Sequence, residues 1–421
     1  LTGLTAQPYD GIDTIASFWE RMLDRIAYVV GVGMTPFAKP GTSAPYHVMA
    51  EQAGRSALED ARVEYSLIEQ VYASYVYADS TAGQAAVYGL GLSGIPIINL
   101  NNNCSSGSSA LFLARQAIEF GMAECVLAIG FEQMIPGALG DTFRDRPAPM
   151  TRHADSMKKI QGAPTDAPIA AQYFGGAGAE YASKHGTKPE TFAQISVKAR
   201  RHAANNPYAV FRSPLTLDEV LASPHVFGPL TRFQCCPPTC GSAAVVVCSR
   251  SFLKKHGLTH AVPILAQTMV TDGSGTFSEG SMMDLIGSKM AENAACRAYE
   301  RAGIAPSDVD VVELHDCFTA NELISYEALQ IAPVGEAERF ICDNQNTYGG
   351  SCVVNPSGGL LSKGHPLGAT GLAQCAELVW QMRGRAEARQ VEDARIALQH
   401  NLGLGGACIV SIYGQAGQYV Q

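Results

Sequence analysis

The chain has 421 residues, with 47% hydrophobic and only 16% charged side chains. That excludes general disorder and supplies a core for two or three domains. The net charge of −9 argues against nucleic acid as the main partner, and no apolar run reaches the ~18 residues of a membrane span. Its twelve cysteines are scattered without a CxxC pair, so they read as reduced thiols inside a cell.

Residues 1–25 carry Asp10, Asp13, Glu20 and Asp24. Acidic residues do not suit a signal or transit peptide, so this stretch reads as an N-terminal extension. The chain closes on Tyr419-Val420-Gln421, which is no peroxisomal tripeptide. Ala27–Gly33 predicts a strand, residues near His47–Ala61 a helix, and Val71–Tyr77 and Pro96–Asn101 further strands. From Gly107 to Phe120, Leu111, Ala114, Ala117 and Ile118 share one helix face. Cys125–Phe131 is a buried strand. This alternation implies a parallel sheet covered on both faces.

Residues 141–230 are poor in strand character. Within them, 144–202 hold ten Lys or Arg against five Asp or Glu. A solvated excursion and a cap that attracts a polyanion both fit this excess. The alternation then returns. Ala243–Cys248 and Val262–Val270 are strands, Met282–Ala302 a helix, Val309–Leu314 a strand, Thr319–Gln330 a helix and Leu361–Met382 a helix. Ile396–His400 and Ala407–Tyr413 close the set as strands. Two similar halves point to a duplicated doubly wound domain.

Four polar turns carry the chemistry. Asn101–Gly107 joins a strand to a helix, and Cys104 sits at its tip. A helix N-terminus favours a thiolate and can hold an oxyanion, so Cys104 reads as a nucleophile. Gly364-His365-Pro366-Leu367-Gly368 occupies the equivalent place in the second half, where His365 is a base or a capping residue. His315-Asp316-Cys317-Phe318 follows a strand C-terminus, where open α/β sheets bind ligands. His400-Asn401-Leu402-Gly403-Leu404-Gly405-Gly406 is a Gly-rich loop between two strands. Cys235, Cys236 and Cys240 form a weak cluster in a tight loop. Nothing in these spacings makes a four-ligand metal site, so no metal is expected.

These four turns, in this order, resemble the catalytic loops of thiolases across residues 26–414. His315–Phe318 in particular resembles the thiolase of sterol carrier protein x, including its trypanosomatid relatives. Most thiolases have Asn-Glu-Ala-Phe at that place and keep a cysteine where this chain has His400-Asn401. The resemblance implies that the acid–base thiol has moved to Cys317. Cys408, inside an apolar strand, reads as core.

The resemblance implies an α/β thiolase fold, with duplicated βαβαβαββ domains in five αβαβα layers and an inserted loop domain. The implied division is 1–25 extension, 26–140 with 231–253 as the N-terminal domain, 141–230 as the cap, and 254–421 as the C-terminal domain. It implies a 3-ketoacyl-CoA thiolase, or the reverse Claisen condensation, through an acyl-cysteine. Cys104 is then nucleophile, His365 base, Cys317 acid and base, and His315 with His365 holds the enolate oxygen. Backbone N–H groups of Cys104 and Gly403 form a second oxyanion hole. Arg152, Lys158 and Lys159 are candidates for the CoA phosphates. No cofactor is bound permanently, and CoA, acetyl-CoA and 3-ketoacyl-CoA are the partners. A homodimer or tetramer is implied, paired through the N-terminal half near Asn99–Asn103. Its compartment is a mitochondrion, or alternatively a peroxisome or related organelle. A condensing synthase, or a non-catalytic acyl-CoA or lipid-binding protein of this fold, is the alternative. Intact Cys104, Cys317 and His365 argue against the non-catalytic reading.

Overall fold

The computed structural model describes residues 26–135 and 145–417. The expected extension at 1–25, the first residues of the inserted segment and the closing tripeptide lie outside the described residues. Among the described residues twelve strands follow in chain order. They are β1 (Tyr28–Met34), β2 (Gln70–Ser74), β3 (Ile97–Leu100), β4 (Cys125–Glu132), the small hairpin β5 (His225–Phe227) and β6 (Leu230–Thr231), β7 (Gly241–Cys248), β8 (Val262–Val270), β9 (Val311–Glu313), β10 (Val353–Val354), β11 (Ile396–Gly403) and β12 (Ala407–Gly414).

Ten strands pair in the order β10-β9-β11-β12-β8-β1-β7-β4-β2-β3. Read outward from the β1–β8 seam, the two halves repeat. In the first, β1–β7 and β7–β4 are antiparallel while β4–β2 and β2–β3 are parallel. In the second, β8–β12 and β12–β11 are antiparallel while β11–β9 and β9–β10 are parallel. The duplication is therefore real, but each half is mixed rather than all parallel. β11 and β12 are joined by the tight turn after Gly403, and a connection that short permits only an antiparallel return. The seam is narrow, with Tyr28 opposite Pro263 and Val29 opposite Val262.

Two helices, Ser106–Glu119 and Leu367–Met382, pack against each other between the halves. A Cβ on Gly371 would stand 2.2 Å from Ser108 N, and one on Gly107 would stand 2.9 Å from Gly371 N. Only glycine admits this backbone approach. It brings the two helix N-termini, and the turns that precede them, to one place. Tyr46–Ala61 covers the outer face of the first half, and Ser288–Ala302 that of the second. The result is the five-layered α/β arrangement that the resemblance implies. One apolar cluster fills the middle layer with Leu111, Leu372 and Val245, and separate clusters lie under each outer helix layer.

Local departures from the sequence reading have identifiable causes. The helix expected over Met282–Ala302 breaks into Met282–Leu285 and Ser288–Ala302 at Gly287, whose φ is +102°. The helix expected from Leu361 starts instead at Leu367, because Pro366 takes its N-cap and Gly359–Ser362 forms a separate turn of helix. The loop expected over 400–406 is mostly strand, since β11 runs through His400 and Asn401 to Gly403. The inserted segment is helical, with Thr151–Gln161, Ile169–His185, Pro189–Ala203 and Leu217–Leu221.

Candidate active site

Cys104 lies between β3 and the helix Ser106–Glu119. The turn is built by its own asparagines. Asn103 N donates to Asn101 Oδ1 at 2.9 Å, and Asn103 adopts φ +51°, a conformation asparagine tolerates. Asn103 Nδ2 donates to Leu404 O at 2.9 Å, which ties the turn to the β11–β12 hairpin of the other half. Gly403 packs against the same turn, where a Cβ would stand 2.3 Å from Asn102 O.

Three expected residues meet here. One side-chain atom each from Cys104, His315 and His365 lies within 4.8 Å of the others. The two imidazoles meet edge to face, with ring centroids 5.0 Å apart. Their neighbours set opposite tautomers. Thr370 Oγ1 donates to Pro366 O at 3.0 Å, so it accepts from His365 Nδ1 at 2.7 Å. The Nε2 of His365 is then a bare acceptor, and it is buried without a partner among the described residues. Asn401 Nδ2 donates to Cys104 O at 3.2 Å and lies 3.0 Å from His315 Nδ1. His315 therefore accepts at Nδ1 and carries its proton on Nε2. One ring offers a lone pair and the other a proton. That suits acid–base work and leaves one lone pair too few for a metal held by all three.

The protonation states follow from burial. The helix N-terminus was expected to favour the Cys104 thiolate, but burial outweighs it and pushes the thiol up to about 12, with Glu132 adding to the rise. Burial lowers His365 to about 3, and it lowers His315 well below the usual histidine range, with His365 and His400 adding to the fall. The resting site is thus a neutral thiol beside two neutral imidazoles.

Cys317 is buried, and its carbonyl accepts from Cys236 N at 2.9 Å. Burial raises its thiol well above the ordinary value, with electrostatic contributions from Cys236, then Cys104. This places Cys317 in the same electrostatic neighbourhood as Cys104. Cys408 stands opposite Leu402 in the β11–β12 ladder and belongs to the core of the second half. The weak cluster of cysteines comes apart. Cys235 Sγ donates to Thr231 O, Cys240 Sγ donates to Met134 O, and Cys236 lies beside Cys317. All twelve cysteines are free.

The chain matches the family described as thiolase, N-terminal domain over residues 27–251, and that described as thiolase C-terminal domain-like over 273–415. It belongs to the thiolase family. Among curated relatives, rabbit (Oryctolagus cuniculus) sterol carrier protein 2 is 56% identical over 390 residues, covering 92% of this chain and 71% of that protein. Among solved structures, the Ltp2-ChsH2(DUF35) aldolase has a TM-score of 0.78 at 24% identity, covering 94% of this chain and 99% of that one. Human mitochondrial 3-ketoacyl-CoA thiolase in complex with CoA has a TM-score of 0.70 at 20% identity, with coverage of 94% and 99%.

In this thiolase three supporting residues escaped the sequence reading. Thr370 sits five residues beyond His365 with nothing to mark it. Asn401 stood out only as a departure from the family pattern. Glu132 accepts from Val76 N at 3.1 Å, Tyr77 N at 2.9 Å and Gly368 N at 3.0 Å, so it clamps the two halves together. Burial raises its carboxyl to about 7. The basic segment also divides. Lys198 pairs with Glu322, the Arg200 guanidinium stacks 4.4 Å over Phe211, and Arg201 donates to Thr347 Oγ1 at 3.1 Å. These charges are spent on structure. Arg152, Lys158 and Lys159 remain exposed on the helix Thr151–Gln161, with Arg152 stacked 4.0 Å over Phe277. His153, on the same helix, lies 3.1 Å from Asp272 and ties it to the second half.

Proposed function

We propose that this chain is a 3-ketoacyl-CoA thiolase of the sterol carrier protein type. The observation that carries the reading is the meeting of Cys104, His315 and His365, with a bare Nε2 on one ring and a proton on the other. His365 Nε2 takes the Cys104 proton as the sulfur attacks the 3-keto carbon, so the thiolate forms only during the reaction. Backbone N–H groups of Cys104 and Gly403 hold the resulting oxyanion, each worth roughly 3 kcal/mol by analogy with other oxyanion holes. The C2–C3 bond breaks and its electron pair enters the acetyl-CoA enolate. The enolate oxygen rests on the Nε2 protons of His315 and the now protonated His365. Cys317 protonates C2, and acetyl-CoA leaves.

Cys317, now a thiolate, takes the proton of an incoming CoA thiol. The CoA sulfur attacks the acyl-cysteine, Cys104 departs and recovers its proton from His365, and a shortened acyl-CoA is released. The reverse sequence is a Claisen condensation. Release of acetyl-CoA from acetoacetyl-CoA plus CoA, with an acyl adduct on Cys104 by mass spectrometry, tests this reading. Absence of both would overturn it.

Arg152, Lys158 and Lys159 meet the CoA phosphates in this reading. Reversing all three should raise the KM for CoA and remove its salt dependence. An unchanged KM would show that they are not contacts. The chain forms a homodimer, or a tetramer of dimers, through the first half. β3 is an edge strand, and Tyr88, Leu92 and Ile98 stand exposed on or near it. Light scattering returning the 44.6 kDa of one chain would contradict this. A mitochondrial or peroxisomal site of action fits the reaction, and imaging of the tagged protein would decide between them.

A further inference from the structure

The inserted segment sends one lysine into the interior. Lys198, on the helix Pro189–Ala203, is 4% exposed, and its ammonium pairs with the fully buried carboxylate of Glu322. The same ammonium donates to Val354 O at 3.2 Å and lies 3.4 Å from Tyr326 Oη. A carboxylate without water needs partners on both oxygens. Glu322 Oε1 has Lys198 and the Tyr326 hydroxyl. Oε2 receives Asn355 Nδ2 at 3.3 Å.

That last bond fixes the Asn355 amide. With its nitrogen turned to Glu322, its oxygen accepts Leu314 N–H at 2.8 Å, and Leu314 immediately precedes His315. The backbone of Asn355 is held as well, donating to Val312 O at 2.7 Å. His202, one turn beyond Lys198 on the same helix, has its Nδ1 3.0 Å from Asn355 O. A continuous chain of polar contacts therefore runs from the inserted helix to the root of the loop His315–Phe318. It does not include Cys104, His365 or Thr370.

We propose that Lys198 is a positioning residue for the loop that carries His315 and Cys317. By pairing with Glu322 it fixes the carboxylate that receives Asn355 Nδ2, and so holds Asn355 in the one orientation that anchors Leu314. The inference rests on the thiolase reading, and it gives the inserted segment a role separate from contact with CoA.

The test uses the full chain. Lys198→Met keeps most of the stem and removes the charge. Its kcat with acetoacetyl-CoA and CoA should fall ~10-fold or more while the KM for CoA moves less than ~3-fold. Iodoacetamide alkylation of Cys104 should stay within ~2-fold, because the thiol and its base lie off this chain of contacts. Hydrogen exchange at the Leu314 amide should accelerate. The double variant Lys198→Met/Glu322→Gln removes both charges and keeps an acceptor for Asn355, so its kcat should return to within ~3-fold of the parent. Asn355→Gly suits the positive φ of +53°, leaves the ion pair intact and deletes only the link. It should reproduce the loss of kcat and the faster exchange, and it carries the test where Lys198→Met does not fold. Two results overturn the proposal. One is a kcat within ~2-fold of the parent in Asn355→Gly or in folded Lys198→Met. The other is alkylation of Cys104 falling in step with kcat, the mark of general loosening. A parent chain without thiolase turnover sinks the functional reading instead, and exchange at Leu314 still decides the positional one.

Discussion

The two halves share one topology but hold their candidate catalytic turns by different means. In the first half the Cys104 turn is braced by short polar side chains. The side chains of Asn101, Ser105 and Ser106 bond to backbone of the same turn, and Asn103 Nδ2 reaches across to Leu404 O. In the second half the candidate turns are braced by buried charge. Lys363 pairs with Glu313 at 3.3 Å, and Lys198 with Glu322. Asp316 accepts from Leu360 N at 2.7 Å and so ties the loop of His315 and Cys317 to the chain that leads to His365. The difference follows from what each half presents. One thiol at a helix N-terminus can be set by a local turn. Three side chains from two separate loops must be held in mutual register, and only long-range partners can do that.

The comparison breaks most visibly at the two thiols. Cys104→Ala should form no acyl-enzyme and lose turnover altogether, as mass spectrometry and steady-state rates would show. Cys317→Ala should lose ~10²–10⁴ in turnover, yet Cys104 should remain open to iodoacetamide. Cys408→Ala, buried in the core opposite Leu402, should turn over almost normally. Near-normal rates in Cys317→Ala with collapse in a folded Cys408→Ala would reverse the assignment.

The buried charges give the next largest effect. Lys363→Met leaves Glu313 without its ion-pair partner inside the second half, and removal of one partner of a buried pair costs about 3–5 kcal/mol. Replacing an exposed pair of the first half, by Arg55→Met beside Glu51, should cost less than about 1 kcal/mol. Urea unfolding of both variants compares them directly, and equal losses would erase the contrast.

At neutral pH the smallest effect is a slope that emerges only on acidification. Burial, with Lys198 nearby, lowers His202 to about 3. In the unfolded chain a histidine titrates near 6.5, so the unfolded state binds this proton first. The stability that neutral His202 preserves is complete above about pH 6.5 and is lost as the pH falls towards 3. His202→Gln should flatten the acid side of the stability profile by about 1.4 kcal/mol per pH unit. Parallel profiles for parent and variant would show that His202 is not held neutral.

Much of the fold was legible because the strands are short apolar runs bounded by turn residues, and because both halves repeat one order. β8 falls on the expected Val262–Val270. β10, only Val353–Val354 long, left no pattern to read. Cys104, His315 and Cys317 were legible as polar interruptions at strand ends, and His365 as part of a Gly/Pro turn that opens a helix. Their partners were not. Thr370 and Asn401 look like ordinary polar residues until the fold brings one under His365 and the other between Cys104 and His315.

By itself the sequence determined the α/β class, the duplication, the thiolase family and which polar turns hold the cysteine and histidines that meet in the fold. These are recorded in local residue order, as hydrophobic runs and Gly, Pro and Asn punctuation. Tertiary structure alone decided the protonation states, the tautomers and the fate of the basic segment. A thiol expected to ionise is pushed up to about 12, and a lysine counted as surface charge is buried against Glu322. Both outcomes depend on how much water each group loses and on which distant partner replaces it, and neither quantity is written in neighbouring residues.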